Sequence, residues 1–156
     1  MTKEEITKII SDEFPGKIKE SKIVNFEPAL EVETEIISEA LKFAKESEEL
    51  CFDFLSCLIG VDRIDHLEII YLLTSLKHKH KLTLKVSLPK ENPNIETASF
   101  IWAGASWHER EIAELFGIKF LNHPDPRPLL LPEEWDEGFP LRRDWTGKDF
   151  IKLPEK

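Results

Sequence analysis

Six prolines fall within residues 121–156, and they exclude a continuous helix or a central strand there. Proline fixes its own φ angle and lacks the backbone N–H that helices and sheet ladders use. These residues are Pro124, Pro126, Pro128, Pro132, Pro140 and Pro154. The same segment carries large apolar side chains, namely Leu129, Leu130, Leu131, Trp135, Phe139, Leu141, Trp145 and Phe150. Because a solvated linker lacks such side chains, we expect an extended tail that lies on its own domain or on a partner.

Residues 1–120 begin with two segments that favour helix. Thr2 and Glu5 have the spacing of a capping box, and Pro15-Gly16 ends the helix that follows. A second helix is predicted from about residue 34 to residue 47. Its apolar face repeats at helical spacing and consists of Ile37, Ala40, Leu41 and Ala44.

A third helix is predicted after residue 106. Ser106 has the character of an N-cap, and Glu109 follows at the position that completes a second capping box. Gly117 stands where a left-handed residue commonly ends a helix. The apolar stripe of this helix is Ile112, Leu115 and Phe116.

The stretches between these helices have extended patterns. Residues 17–32 predict two short strands, and three longer runs follow at residues 50–59, 67–74 and 82–86. The run at 50–59 predicts either a strand buried on both faces or a strand leading into a turn. The last three runs are joined by short connections, which favour antiparallel pairing.

We therefore predict an α+β fold. Residues 1–120 form a two-layer domain, with helices on one face of a mixed, mostly antiparallel sheet. Residues 121–156 form the extended, proline-rich tail.

Composition excludes several classes of protein. The chain has 21 basic and 30 acidic residues and a net charge of −9, so it lacks the basic character of a general nucleic-acid binder. It has no run of about 18 apolar residues, and its charged start does not resemble a signal peptide, so we expect a cytoplasmic protein. The absence of Gln and the abundance of Lys and Glu favour a thermophilic source, or else an AT-rich genome.

The residues that could carry chemistry form no convincing catalytic, cofactor-binding or metal site. Cys51 and Cys57 are too far apart on a strand for a disulfide and do not match a metal motif, so we expect buried structural thiols. No phosphate loop, dinucleotide fingerprint or activated nucleophile occurs. A stand-alone metal-dependent or acid–base enzyme remains an alternative, as does a free-standing binding module. Such an enzyme would use His108, Glu109, Glu111, His123 and Asp125.

The chain resembles a known family over roughly residues 50–145, most specifically from the third helix onward. The resemblance runs from Trp107 to Phe120 and continues through His123-Pro124-Asp125, Arg127, Leu129 to Pro132, Trp135 and Pro140 to Asp144. It is similar to the C subunit, or 30 kDa subunit, of respiratory complex I. One departure is Pro128, which stands where the family often has a second arginine.

The resemblance implies a non-catalytic subunit without a redox cofactor of its own. Its expected partners are the large hydrogenase-like (49 kDa or D-type) subunit and the iron–sulfur subunits of the peripheral arm. Iron–sulfur clusters, and quinone or nickel–iron, are expected in those partners. The chain would reach the membrane only through the complex, at its cytoplasmic face. A membrane-bound [NiFe] hydrogenase or a sulfur-reducing relative is the alternative assembly.

The third helix and the tail together predict a partner interface. Aromatic and apolar side chains would anchor it and charged groups would orient it. The predicted interface residues are Arg110, Glu111, His123, Asp125, Arg127, Trp135, Phe139, Leu141, Arg142, Arg143, Asp144 and Trp145.

Overall fold

Five strands form one mixed sheet in the order β1-β2-β5-β4-β3. The computed structural model describes residues 1–21 and 29–148. The strands of this sheet are β1 (Ile18–Ser21), β2 (Ala29–Val32), β3 (Phe54–Asp62), β4 (His66–Ser75) and β5 (His80–Pro89). A separate parallel pair consists of β6 (Asn94–Glu96) and β7 (Lys119–Leu121).

Three α-helices complete the fold of the described residues. They are α1 (Lys3–Glu13), α2 (Ile37–Glu46), which follows a 3₁₀ turn (Thr34–Ile36), and α3 (Ala105–Phe116). The Thr2–Glu5 capping box at α1 is present in both directions, and the four predicted apolar residues of α2 are all buried. Gly117 ends α3 with a φ of 71°, so the predicted left-handed C-terminus is confirmed.

The strand pairing follows the predicted pattern. β3, β4 and β5 pair antiparallel along their length, whereas β2 runs parallel to β5, so the sheet is mixed and mostly antiparallel. Side chains alternate between the two faces, and one face of β4 is fully buried: Leu67, Ile69, Tyr71 and Leu73. These side chains share one core with residues of all three helices. The predicted two-layer α+β domain is therefore confirmed.

β3 begins four residues later than the apolar run that predicted it. Residues 47–53 are held against the end of α2, because the Phe52 N–H donates to the Ala44 carbonyl at 2.9 Å and Cys51 has a φ of 45°. Burial along β3 alternates, with Phe54 exposed and Leu55 buried. The interpretation as a strand buried on both faces is therefore wrong, and the alternative of a strand leading into a turn is the observed one.

Two further predictions need correction. Ser106 is not the N-cap of α3, because the helix begins at Ala105 after Gly104 and has no side-chain capping bond. Cys51 and Cys57 are free, as expected, but both are partly exposed rather than buried. Two predictions fall partly outside the described residues. They are the predicted strand at Ile23 and Val24, and the apolar side chain of Phe150.

Candidate functional site

Helix α3 lies between the sheet and the tail. On its sheet side, Ile112 and Phe116 pack so closely on β3 that a β carbon added to Gly60 would lie 2.9–3.1 Å from them. A glycine in β3 thus lets the helix approach the sheet backbone. The other sides of α3 carry Glu109, Arg110 and Glu114, which contact the segments before and after the helix.

Glu109 is fully buried, and both of its oxygens accept hydrogen bonds. Oε1 accepts the Ala98 N–H at 2.6 Å, and Oε2 accepts the Thr97 hydroxyl at 2.5 Å. Burial raises the pKa of Glu109, although these two bonds and nearby His123 favour the ionised form. The sequence assigned this carboxylate to a capping box, whereas the structure uses it to hold the loop that precedes α3.

His123 is also buried, with 3% of its side chain exposed. Its Nδ1 accepts the Asp125 N–H at 3.0 Å, while its Nε2 faces the Ser106 carbonyl at 3.3 Å and Glu109 Oε2 at 3.5 Å. The first residues after β7 are thereby tied to the beginning of α3.

Arg110 fixes the next part of the tail through backbone carbonyls. Its Nε donates to the Arg127 carbonyl at 2.7 Å and its Nη2 to the Pro128 carbonyl at 2.9 Å. The guanidinium also lies over the ring of Trp107, 5.3 Å from its centroid. Proline carbonyls still accept hydrogen bonds, so a proline-rich segment can be held in this way.

Asp125 and Arg127 form a two-bond ion pair within the tail. Arg127 Nε and Nη2 donate to the two oxygens of Asp125 at 2.6 and 2.8 Å. These bonds lower the pKa of Asp125 to about 2. The Arg127 side chain nevertheless remains 78% exposed, so its outer surface is open to a partner.

Glu114 binds three successive backbone N–H groups of the tail. Its carboxylate accepts from Leu129 at 3.0 Å, Leu130 at 2.7 Å and Leu131 at 3.2 Å. A carboxylate that accepts several backbone N–H groups makes charge-assisted bonds, which are stronger than neutral ones. The three leucines therefore follow one path beside α3.

The far end of the tail is anchored at the C-terminus of α3 and at the end of β3. The Leu141 N–H donates to the Leu115 carbonyl at 3.0 Å, and the Arg143 N–H donates to Asp62 Oδ2 at 2.7 Å. Burial opposes ionisation of Asp62, but the bonds from Lys90 and from Arg143 outweigh it, so the pKa of Asp62 is lowered.

Arg142 and three aromatic rings complete this end of the tail. Arg142 Nε donates to the Phe116 carbonyl at 2.7 Å, and its guanidinium lies 4.9 Å from the Phe139 ring centroid. Trp135 and Trp145 stack with their centroids 6.3 Å apart. Their indole N–H groups donate to the carbonyls of Gly138 and Glu137.

The predicted interface residues therefore divide into two groups. In the first group, the side chains link α3 to the tail or link parts of the tail to each other, and so set the path of the tail: Arg110, His123, Asp125, Trp135, Arg142 and Trp145. Those with an exposed surface are Glu111, Arg127, Phe139, Leu141, Arg143 and Asp144. The predicted interface did not include three exposed apolar side chains, Phe100, Trp107 and Leu130.

The five residues of the alternative enzyme site do not all converge, because Glu111 is exposed on the outer side of α3. No cluster of three or more His, Cys, Asp or Glu side chains placed to hold a metal ion occurs in the part of the chain that the structure describes. Within the same ranges, no helix has the length and apolar character needed to cross a membrane.

Comparison with known proteins identifies relatives by sequence. The C subunit of NADH-quinone oxidoreductase from Chloroherpeton thalassium is 46% identical over 117 residues, which cover 72% of this chain and 48% of that protein. The chain thus spans about half the length of this curated relative. The C subunit of F(420)H(2) dehydrogenase from Methanosarcina mazei is 37% identical over 145 residues, covering 91% of this chain and 90% of the relative.

Solved structures show the same fold. A trypsin-resistant fragment of Nqo5 superposes with a TM-score of 0.64 at 26% identity, covering 78% of this chain and 97% of the fragment. A chain of the membrane-bound sulfane sulfur reductase, an archaeal respiratory membrane complex, superposes with a TM-score of 0.67 at 20% identity, covering 92% of this chain and 85% of that chain. The second likeness shows the fold alone. The family described as respiratory-chain NADH dehydrogenase, 30 kDa subunit, matches residues 30–150, and the chain therefore belongs to that family.

Proposed function

We propose that the chain is a non-catalytic subunit of the peripheral arm of a complex I-like, membrane-bound oxidoreductase. It positions the large, hydrogenase-like subunit for electron transfer that is coupled to ion translocation. In this proposal residues 1–120 are the folded domain, and residues 121–156 dock on the partner subunit. The family assignment and the relatives named above support this role.

The observation that carries the proposal is a tail held on one path while it exposes apolar and charged side chains. Backbone groups of the tail bind Arg110, Glu114 and Asp62. Phe139 and Leu141 nevertheless remain 39% and 53% exposed. A pre-ordered surface loses less conformational entropy when it binds than a flexible one, and exposed aromatic and aliphatic anchors supply the apolar contact.

The partners of such a subunit would supply the redox chemistry. We infer that the large hydrogenase-like (49 kDa or D-type) subunit and the iron–sulfur subunits hold the clusters and the quinone or nickel–iron site. The chain would then lie at the cytoplasmic face of the membrane and associate with it through the complex. The contacts of Glu109 support a structural role for the chain, since its two oxygens accept hydrogen bonds from the Thr97 hydroxyl and the Ala98 N–H.

A second candidate is a subunit of a deazaflavin-linked dehydrogenase. The observation that favours it is the coverage of the Methanosarcina mazei relative, the C subunit of F(420)H(2) dehydrogenase, which matches over nearly the whole of both chains. The two candidates differ in the electron donor of the assembled complex. Assay of the purified complex with reduced F420 and with NADH, using the same acceptor, separates them.

Two substitutions test the docking role of the tail. Leu141→Glu changes an exposed anchor, and Arg143→Glu reverses an exposed charge while its anchoring backbone N–H remains. We expect each to lower the amount of large subunit that co-purifies with the tagged full chain by about tenfold, as for an interface anchor. The control is Lys42→Glu, a charge reversal at an exposed position of α2. Retention of the large subunit at the wild-type level by both tail variants would contradict the proposal.

A further inference from the structure

The two edges of the five-stranded sheet are built differently. At one edge, β1 has four residues and includes Lys19. At the other edge, β3 has nine residues and contains neither lysine nor proline. Proteins commonly make their exposed edge strands short or place charges and prolines on them, because unpaired backbone groups recruit other strands. β1 is short and charged, whereas the part of β3 from Cys57 to Val61 carries no charged residue and no proline.

Among the described strands, β3 pairs on one side only, with β4. In an antiparallel pair, the residues between the bonded ones direct their N–H and C=O groups away from the partner strand. Among residues 1–21 and 29–148, one hydrogen bond to the β3 backbone is not part of the pairing with β4. It is the 3.8 Å contact from Cys57 Sγ to the Leu58 carbonyl. Within those ranges, the remaining outward groups of β3 have no other hydrogen-bond partner and can pair with an added strand.

The regular part of this edge is long enough to pair. A register shift between Leu55 and Cys57 interrupts the beginning of β3, and the pairing with β4 is then continuous from Cys57 to Asp62. A bulge bends and twists a strand, so it limits an added strand to the residues that follow it.

An apolar strip lies beside the free edge on the face opposite the helices. In the register, Cys57 stands across from Leu72 and Ile59 across from Ile70. Ile59 is 37% exposed and the other three are partly exposed. Side chains of paired residues point to the same face, so these four residues form one strip, which we call the outer strip.

We propose that the free edge of β3 accepts an extended segment of a partner subunit as a sixth strand. Alternate apolar side chains of that segment would lie next to the outer strip, while its backbone would pair with the residues from Cys57 to Asp62. The inference rests on the proposed function, which supplies the partner complex.

The charge of the chain argues for a neutral or basic segment of another subunit rather than a second copy of this chain. At a net charge of −9, two copies repel each other. The same field repels an acidic segment and attracts a basic one, and it leaves a neutral segment unopposed. The partner is therefore a different chain, whose pairing segment alternates apolar residues and has few carboxylates.

Amide hydrogen exchange on the wild-type full chain, alone and in the assembled complex, tests the added strand. We expect outward-pointing amides between Cys57 and Val61 to exchange at least about tenfold more slowly in the complex, as amides do when they enter a stable ladder. Amides of β1 should not change. Equal exchange of the β3 amides in the two samples would overturn the inference. So would slow exchange that depends on the concentration of the isolated chain, because the occupant would then be a second copy.

Two matched substitutions test the same edge. Ile59→Lys places a charge on the outer strip, whereas Ile64→Lys makes the same change in the turn after β3, where the side chain is 86% exposed. We expect Ile59→Lys to retain about tenfold less of the partner subunits, and Ile64→Lys to retain the wild-type amount. Equal retention by both variants would overturn the inference.

The outcomes also separate this inference from the proposed function. A wild-type chain that retains no partner subunit would overturn both. A wild-type chain that retains its partners without slower exchange in β3 would overturn the added strand alone. If Ile59→Lys lowers the thermal stability of the isolated chain, the exchange measurement on the wild type still decides whether a strand is added to β3.

Discussion

The Nε2 atom of His123 lies 3.5 Å from Oε2 of Glu109, and both side chains are shielded from solvent. Because His123 Nδ1 accepts the Asp125 N–H, Nε2 is the ring nitrogen that can donate toward Glu109 and the Ser106 carbonyl. Glu109 also binds Thr97 and Ala98. One carboxylate therefore joins the loop before α3 to the first residues of the tail.

Replacing Glu109 by Gln should change how the stability of the chain depends on pH. Burial raises the pKa of Glu109 above its ordinary value of 4.5, so the folded state binds a proton more tightly than the unfolded state. This contribution to stability is complete below pH 4.5 and is lost as the pH rises through the raised pKa. We expect Glu109→Gln to lose less stability over that interval than the wild type, as measured by urea unfolding at a series of pH values.

Glu111→Gln is the matched control for that experiment. It removes one carboxylate from the exposed side of the same helix, so it reports the effect of net charge alone. If Glu109→Gln and the wild type gave parallel curves of unfolding free energy against pH, the carboxylate would have no raised pKa in the folded chain.

Replacing Glu114 by Ala should release the middle of the tail. The substitution removes the acceptor of three backbone N–H groups, those of Leu129, Leu130 and Leu131. Hydrogen bonds to charged groups contribute about 1.5–3 kcal/mol each when shielded, and less here because Leu130 is exposed. We expect faster amide exchange at these leucines, measured by mass spectrometry.

Glu111→Ala serves as the control for the release of the tail, since Glu111 faces solvent one turn earlier on α3. It should leave the exchange of the three leucines unchanged. Equal acceleration by both variants would mean that the helix, rather than the Glu114 carboxylate, orders this part of the tail.

Local patterns predicted most of the domain. The capping box at Thr2, the glycine that ends α3 and the apolar face of α2 are each set by residues within one or two helical turns. The antiparallel order of β3, β4 and β5 follows from short connections. In each case the atoms that stabilise the element lie close together in the sequence.

Long-range contacts were not predictable in the same way. β2 pairs with β5, and β6 with β7, between segments that are distant in the sequence, and β2, β6 and β7 are each too short to carry a period. Glu109 illustrates the same limit at the candidate site. Its spacing from Ser106 fits a capping box, but its real partners, Thr97 and Ala98, belong to a loop before the helix.

The two capping-box patterns should respond differently to alanine. Thr2 accepts the Glu5 N–H at 3.2 Å, so Thr2→Ala should cost about 0.5–2 kcal/mol of unfolding free energy. Ser106 makes no side-chain capping bond, so Ser106→Ala should stay within about 0.5 kcal/mol of the wild type. Urea unfolding of the two variants checks both values. A larger loss for Ser106→Ala than for Thr2→Ala would contradict the structure at the start of α3.

Two glycines with similar backbone angles should differ in their tolerance of alanine. Gly16 has a φ of +79° and open space where a β carbon would stand, whereas at Gly117, with a φ of +71°, the β carbon would enter the ring of Phe139. The left-handed angle alone costs a non-glycine residue about 1–2 kcal/mol. We expect Gly16→Ala to lose about that amount of unfolding free energy, and Gly117→Ala to lose more, because the ring must move.

A double-mutant cycle separates the contribution of the ring. In the background of Phe139→Ala, the additional cost of Gly117→Ala should disappear and leave the cost of the backbone angle. Because Phe139 lies in the tail and Gly117 ends α3, the coupling energy measures how firmly this end of the tail is held on the domain. Equal costs of Gly117→Ala with and without Phe139 would show that the ring does not pack on Gly117 in solution, and that the tail is anchored there by its hydrogen bonds to α3 and Asp62 alone.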